Sequence, residues 1–212
     1  MKNLFNFGNL GKTTANDAEN EKETNGITSR AATYQTKIRL ENRWKKKRVE
    51  EVILELPKKG ESMHIISNGS FDYFTLIPRI IDLSLADYCE EFYFSTWTMS
   101  HDNVVQIWEL FDTGLIKKVT ALTGEYFRTR ESATYSILAM GCEERGQRLF
   151  ANKNHSKVTL LQMANDYYII EGSANFTANP RIEQFVLTNH QPLYNFHKEW
   201  MEKLLANGMK SL

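Results

Sequence analysis

The residues best suited to chemistry lie close together in the C-terminal half of the chain. His155 and Lys157 stand two apart at the start of an apolar run, and Gly172-Ser173-Ala174-Asn175 follows the next apolar run. Residues i and i+2 of a strand face the same side, so we expect His155 to point with Lys157, and Ser173 with Asn175. An imidazole, a cation, a hydroxyl and an amide are the groups that phosphoryl transfer requires.

Two pairs of cations are candidates for binding a phosphate-containing substrate. Lys117 and Lys118 open a predicted strand that we expect beside the site, although the alternative is a solvated strand end. Arg128 and Arg130 lie in residues 123–132, which we interpret as a polar loop of the kind that surrounds active sites. An arginine guanidinium binds phosphate in a bidentate fashion, which favours this pair.

The elements that must position these residues are strands alternating with helices. This order predicts an α/β fold, an α-β-α layered sandwich with a mixed, mainly parallel sheet. Asp102 is the candidate cap of the second helix, and Gly114 is expected to end it. The predicted helices cover 71–87, 101–114, 130–146 and 191–208, and the predicted strands cover 90–100, 115–124, 147–152 and 182–189, with a hairpin over 156–175 that turns at 164–166.

Composition limits the class of protein. The chain has 212 residues, 42% of them hydrophobic, which is enough for one core. Lys plus Arg and Asp plus Glu both number 26, so net charge by itself indicates neither a nucleic-acid nor a membrane partner. Cys89 and Cys142 are far apart and outside any C-x-x-C pair, which argues against a disulfide scaffold or zinc knuckle and favours the cytoplasm. No apolar run approaches the roughly 18 residues of a membrane span, and no signal peptide is evident.

The N-terminal part differs from the rest. Residues 1–30 are rich in Asn, Thr, Glu and Gly without periodicity, and we predict a disordered polar tail. Residues 31–212 are predicted to form a single domain with its core over about 65–206. The run Lys45-Lys46-Lys47-Arg48 is either a solvated turn or a patch that contacts phosphates beside Trp44.

The motif in this setting resembles the signature of the phospholipase D superfamily, which is H-x-K, then Asp, then G-S-x-N after a short strand. The resemblance is specific over 150–190 and follows the family's order of elements over about 70–205. Glu183 resembles the glutamate that follows in single-motif nucleases of the family, and it is a candidate to fix the tautomer of His155 by a hydrogen bond. The chain departs from the signature at Gln162, which stands at the position of the Asp, and Asp166 lies four residues further on.

The resemblance implies a mechanism and a partner. One histidine attacks phosphorus to form a phosphohistidine, a second histidine from another copy of the motif protonates the leaving oxygen, and no metal or other cofactor is needed. Lys157 and Asn175 would bind the phosphate, and Ser173 would hydrogen-bond the phosphate or its neighbours. Because this chain has one copy of the motif, the logic predicts a symmetric homodimer with two copies of His155 facing across the axis.

Three functions remain open at this level. The first is a phosphodiesterase, specifically a nuclease, and the resemblance favours it because small single-motif chains of this family are mostly nuclease-like. The second is a module that binds nucleic-acid phosphate or a protein partner without turnover, which the replacement of the Asp by Gln162 favours. The third is an enzyme that acts on phosphatidyl groups.

Overall fold

The computed structural model describes residues 48–178 and 180–209, in which seven strands form one sheet in the order β1-β7-β6-β5-β2-β3-β4. The strands are β1 (Ser62–Ser67), β2 (Glu91–Thr96), β3 (Val119–Gly124), β4 (Arg148–Asn152), β5 (Val158–Met163), β6 (Asp166–Gly172) and β7 (Glu183–Asn189). The helices are α1 (Leu76–Leu83), α2 (His101–Asp112), α3 (Glu125–Arg130), α4 (Ser132–Glu144) and α5 (Gln191–Met209), with a short 3₁₀ helix before α1 (Tyr73–Thr75) and helical residues at 48–52.

Helices cover both faces of the sheet. Alternate residues of β2 point to opposite faces, so Phe92 and Phe94 join one buried cluster while Tyr93 joins another. The first cluster includes buried residues of α1, α2, α3 and α4, and the second includes Met201 of α5. The predicted α-β-α layering is therefore confirmed.

The sheet is mixed, as predicted, but the proportion of parallel pairs was overestimated. Only β2–β3 and β3–β4 are parallel, whereas the other four pairs of the described strands are antiparallel. The reason is connection length. Parallel neighbours need a crossover of a dozen or more residues, but Ala164 and Asn165 alone separate β5 from β6. The two parallel pairs, β2–β3 and β3–β4, are joined through α2 and through α3 and α4, which supply the helices that a parallel crossover needs.

Several predicted boundaries are corrected. The 123–132 segment is not a loop, because β3 continues to residue 124 and α3 follows directly. The cap of α2 is Ser100, whose side chain accepts a hydrogen bond from the Asn103 amide at 3.3 Å, while Asp102 lies within the first turn. Gly114 has a φ of 80° and ends α2 as predicted. The edge strand β1 was missed, because its alternation is too short to stand out.

A charged cluster ties α5 to the sheet beneath it. The guanidinium of Arg148 on β4 donates two hydrogen bonds to the carboxylate of Glu202 on α5, at 2.8 and 2.6 Å. The hydroxyl of Tyr93 on β2 donates to the same carboxylate. Hydrogen bonds from Arg148 lower the pKa of Glu202 to about 2, although partial burial opposes this. The cluster therefore joins α5, β2 and β4.

Removing the charge of Glu202 is expected to destabilise the fold in a pH-dependent way. Glu202→Gln keeps the shape and should cost about 1 kcal/mol of unfolding free energy near pH 7, a value discounted because the side chain is partly exposed to solvent. A carboxylate with a depressed folded-state pKa stabilises above its ordinary pKa, and this contribution is lost as pH falls toward 2. Urea unfolding from pH 7 down to pH 3 should show the wild type and the variant converging at the acid end.

The control for this prediction lies on the same helix. Glu199 pairs with Lys203 at 2.6 Å with both side chains mostly exposed, so Glu199→Gln should change stability little. A constant difference between Glu202→Gln and the wild type at all pH values would contradict the charge-based account.

Some predictions fall on residues beyond the described ranges. The polar tail over 1–30, the start of the domain at 31 and the cations Lys45–Lys47 lie outside them. Arg48 is described, and its guanidinium pairs with Glu51 at 3.1 Å on the surface. No helix in the described part of the chain combines the length and apolar character that crossing a membrane requires.

Candidate active site

The two halves of the predicted catalytic motif lie at one edge of the sheet. At this edge the carboxyl ends of β2, β3, β4 and β6 meet the amino ends of β5 and β7. His155 and Lys157 lie immediately before β5, Gly172 ends β6, and Glu183 begins β7. Ligands of open α/β sheets bind outside the carboxyl ends of parallel strands, which here are β2, β3 and β4.

The segment that carries His155 is fixed on both sides of the histidine. The Asn154 side chain donates to Ser95 Oγ at 2.7 Å and accepts from the amide and hydroxyl of Ser156 at 3.0 and 2.7 Å. The hydroxyls of Ser95 and Ser156 lie 2.6 Å apart. Because Ser95 is buried at the end of β2, this local network holds the backbone around His155 in one conformation.

His155 and Lys157 are in direct contact. Lys157 Nζ lies 3.2 Å from His155 Nδ1 and donates to the His155 carbonyl at 2.7 Å, which confirms the predicted proximity. The lysine is only 9% exposed, whereas His155 is exposed. Burial lowers the pKa of Lys157, while the negative charge of Glu183 acts to raise it. The result is a sheltered cation beside an accessible imidazole.

The Gly172-Ser173 turn is hydrogen-bonded to the backbone of Lys157. The Gly172 amide donates to the Lys157 carbonyl at 3.3 Å, so the two halves of the motif are joined through the backbone. The Ser173 hydroxyl donates to the carboxylate of Glu183. Glu183 is thus positioned against Ser173, and its predicted role in orienting His155 stays a prediction.

Trp97 links the histidine to the amide of the motif. Its backbone amide donates to Asn175 Oδ1 at 3.3 Å, and its ring centroid lies 5.4 Å from that of His155. The indole also stacks on the ring of Tyr126, with the centroids 4.4 Å apart. A side chain at Gly124 would place its Cβ 2.5 Å from the Trp97 ring and 2.7 Å from its carbonyl, so this close approach requires glycine. Trp97 is therefore held rigidly between both halves of the site.

The two lysines that were predicted to bind substrate lie far from His155. Lys117 and Lys118 precede β3, at the end of the sheet opposite His155. Lys118 pairs with Glu91 at 2.9 Å, and Lys117 lies over the ring of Tyr88. The expectation was wrong because β3 runs toward the site, so the six residues of β3 separate them from it by about 20 Å.

The two arginines that were predicted to bind substrate lie on a helix that begins at the site edge. Arg128 and Arg130 belong to α3, which begins where β3 reaches the site edge. Arg128 is half-exposed and lies 4.0 Å from Glu125. Their role in binding a substrate phosphate remains a prediction.

Gln162 lies at the far end of β5 from His155. It pairs directly with Glu91 across the β2–β5 register, whereas Val158 at the start of β5 pairs with Ser95 at the site edge. Asp166 also lies at this far end, where it accepts from the Asn189 side chain. The replacement of the motif Asp therefore leaves the chemical groups around His155 untouched, and Asp166 does not substitute for it.

Restoring the motif Asp is expected to harm stability without helping catalysis. Glu91 already supplies a carboxylate at this place, bound by Lys118 and Lys198. Gln162→Asp would set two like charges directly opposite each other, at a cost of roughly 1 kcal/mol in unfolding free energy. Gln162→Asn is the matched neutral control. Thermal unfolding and turnover should be measured on all three proteins, and a rate gain specific to Gln162→Asp would contradict this view of Gln162.

Solved structures share this architecture. Nuc from Salmonella typhimurium, a phospholipase D family member, matches with a TM-score of 0.51 and 18% identity over 70% of this chain and 96% of Nuc. NucT from Helicobacter pylori matches with a TM-score of 0.52 and 13% identity over 70% of this chain and 98% of NucT. This chain has the phospholipase D-like fold. Polyphosphate kinase from Porphyromonas gingivalis matches with a TM-score of 0.53 and 12% identity, but this chain spans only 26% of it.

No protein-family model matches the sequence, and no curated protein matches it. Within the phospholipase D-like fold, the site above stands on its own geometry. In the described part of the chain, His, Cys, Asp and Glu side chains do not gather in threes as the ligands of a metal ion would.

Sequence reasoning missed the residues that support the site. Trp97 was not among the predicted site residues, although it contacts both His155 and Asn175. Asn154 and Ser156 carried a usable signal, since small polar residues flanking a candidate histidine are typical of side-chain-to-backbone turns. The contact of Trp97 with His155 had no local signal, because 58 residues separate them.

Proposed function

We propose that this chain is a phosphodiesterase, specifically a nuclease, that works through a phosphohistidine on His155. The observation that carries the proposal is the contact of the Lys157 ammonium with the imidazole of His155 at the sheet edge. A fixed cation beside a nucleophile is what a phosphoryl group needs to be bound and attacked. The phospholipase D-like fold supports the same chemistry.

The first step would form a phosphorus–nitrogen bond and break a phosphorus–oxygen bond. A ring nitrogen of His155 attacks phosphorus, and the leaving oxygen departs after taking a proton from a second histidine. Water then attacks the phosphohistidine while giving a proton to the second histidine, the phosphorus–nitrogen bond breaks, and both histidines return to their starting forms. Lys157 and Asn175 neutralise and orient the phosphate oxygens, and Ser173 hydrogen-bonds beside them.

The proton on His155 depends on Lys157. An ammonium donates hydrogen bonds and accepts none, so a charged Lys157 leaves Nδ1 of neutral His155 as the acceptor and Nε2 as the protonated nitrogen. The histidine that gives a proton to the leaving oxygen acts instead as the imidazolium, because a neutral ring that gave up its single N–H would be left as an imidazolate. The attacking histidine needs an unprotonated Nε2, so its proton must be on Nδ1. This becomes possible when the Lys157 ammonium moves away from Nδ1 to bind a phosphate oxygen.

The second histidine would come from another copy of this chain. One motif supplies one His155, while the two-histidine scheme needs both a nucleophile and an acid. In a symmetric dimer with the site edges facing each other, one active site at the axis uses both copies of His155. This homodimer is part of the proposal, and mixing active and inactive subunits tests it directly.

The activity is tested first with labelled single- and double-stranded DNA and RNA in the presence of EDTA. We expect cleavage that survives chelation, together with an acid-labile radioactive phosphoryl adduct on the protein after rapid quenching. Hydrolysis of a phosphodiester lipid head-group analogue in preference to nucleic acid would instead favour the phosphatidyl alternative. No hydrolysis of any phosphodiester would overturn the proposal.

The shared site is tested by mixing subunits. Wild type and His155→Ala are unfolded together at varied ratios, refolded and assayed at constant total protein. If each site needs both histidines, activity should fall as the square of the wild-type fraction. A linear fall would show that one chain suffices, and the homodimeric site would then be wrong even if the chain cleaves.

The non-catalytic alternative has lost its main support. It rested on Gln162 as a sign of weakened chemistry, but that residue faces Glu91 at the opposite end of the sheet. His155 and Lys157 are in direct contact at the edge of the sheet, and this pair of nucleophile and cation supports catalysis over a purely binding role.

A further inference from the structure

An aromatic pair extends from His155 along the edge of the site. The ring of Trp97 lies near the rings of both His155 and Tyr126, with centroid distances of 5.4 and 4.4 Å, respectively. The Trp97–Tyr126 pair is stacked at an interplanar angle of 27°. Tyr126 is still 42% exposed, so one side of its ring is packed against Trp97 while the remainder faces solvent.

The position of Tyr126 is fixed by its packing on Trp97. It is the second residue of α3, directly after β3, and Gly124 at the end of β3 packs against the Trp97 ring and backbone. The Trp97 backbone is also held by two hydrogen bonds of 3.3 Å, from the Gly124 amide to its carbonyl and from its own amide to Asn175 Oδ1, so the tyrosine stacked on Trp97 rests on an anchored residue. A preorganised ring loses little conformational entropy when a planar ligand stacks on it.

We propose that the exposed face of Tyr126 is a stacking subsite for an unpaired nucleobase next to the cleaved phosphate, so that the chain acts on single-stranded nucleic acid. This inference rests on the proposed function. Every base has an aromatic face, so stacking binds single strands without sequence preference. In a duplex those faces are already covered by neighbouring base pairs, so a rigid surface tyrosine has no base to receive.

The cations nearby suit a single strand that runs along this edge. Arg128 and Arg130 follow Tyr126 on α3, and the exposed Lys153 lies two residues before His155. Arg181, two residues before Glu183, is also exposed at this edge. Cations that track a backbone beside an aromatic that accepts a base are the two components of single-strand binding sites.

The inference is tested with three ligands and three variants. The ligands are oligo-dT, an oligomer of the same length built from abasic units, and a duplex of that length. Tyr126→Leu removes the aromatic face, and Tyr126→Phe keeps it. Tyr88→Leu is the matched control, since this tyrosine lies with Lys117 at the opposite end of the sheet. Equilibrium binding and, where it occurs, cleavage are measured at one fixed salt concentration.

We expect the wild type to bind oligo-dT about 5- to 100-fold more tightly than the abasic oligomer. Tyr126→Leu should lose that factor with oligo-dT and leave abasic binding unchanged, whereas Tyr126→Phe and Tyr88→Leu should match the wild type. An equal ratio of the two affinities in Tyr126→Leu and wild type would overturn the inference, as would a preference for the duplex.

Failure of the subsite and failure of the proposed function give different results. Cleavage of oligo-dT and of the abasic oligomer at equal rates by the wild type would leave a phosphodiesterase without a base subsite. Base-dependent binding that needs Tyr126, without any cleavage, would leave the subsite in place and refute the nuclease. Oligo-U in place of oligo-dT then shows whether the same subsite accepts RNA.

Discussion

His155→Ala is expected to lower the rate of phosphodiester cleavage by at least about 10³-fold. The variant loses the nucleophile in one copy and the acid in the other, so both proposed steps fail together. Because His155 is exposed, its removal should change the unfolding free energy by less than about 1 kcal/mol. Single-turnover cleavage and thermal unfolding of the purified variant measure both quantities.

His101→Ala is the matched control for this prediction. His101 begins α2 with its side chain 58% exposed and lies 3.6 Å from Asp102, so its loss should leave the rate near that of the wild type. Cleavage by His155→Ala at the wild-type rate would place the chemistry elsewhere in the chain. Equal losses in both variants would point to a general defect that does not depend on His155.

Lys157→Met is expected to lower the rate by about 10²- to 10³-fold, as the loss of one preorganised charge donor does in related chemistry. Methionine fills similar volume at this buried position, and replacing a desolvated charge by an apolar group is often neutral for stability. The effect should therefore appear in catalysis and phosphate binding, with the unfolding midpoint nearly unchanged. A variant that unfolds early would instead indicate that Lys157 is mainly structural.

The same lysine should set the alkaline limit of activity. Burial lowers its pKa, so the ammonium is lost, and phosphate binding with it, at a lower pH than for an ordinary lysine. Glu183 opposes this shift, so Glu183→Gln should move the alkaline decline to still lower pH. Lys157→Arg, which keeps its charge, should remove the decline. A pH–rate profile that is identical in the wild type and both variants would contradict the assignment.

What the sequence determined by itself is local. The spacing of His155 and Lys157 predicted that the two side chains lie together, and their contact agrees with this, although both residues precede β5 and do not lie in a strand. The prediction that Ser173 and Asn175 share a face stays a prediction, since both follow the end of β6. The alternation of helices and strands likewise predicted an α/β fold, and Gly114 marked the end of α2 through its left-handed backbone.

What only the tertiary structure decided depends on direction and register. The sequence could not show that β3 runs toward the site, which removed Lys117 and Lys118 from it, or that Gln162 meets Glu91 far from His155. The contact of Trp97 with His155 likewise exists because β2 and β5 are neighbours in the sheet. Such pairings are selected by the packing of the whole chain, so no window of sequence contains them.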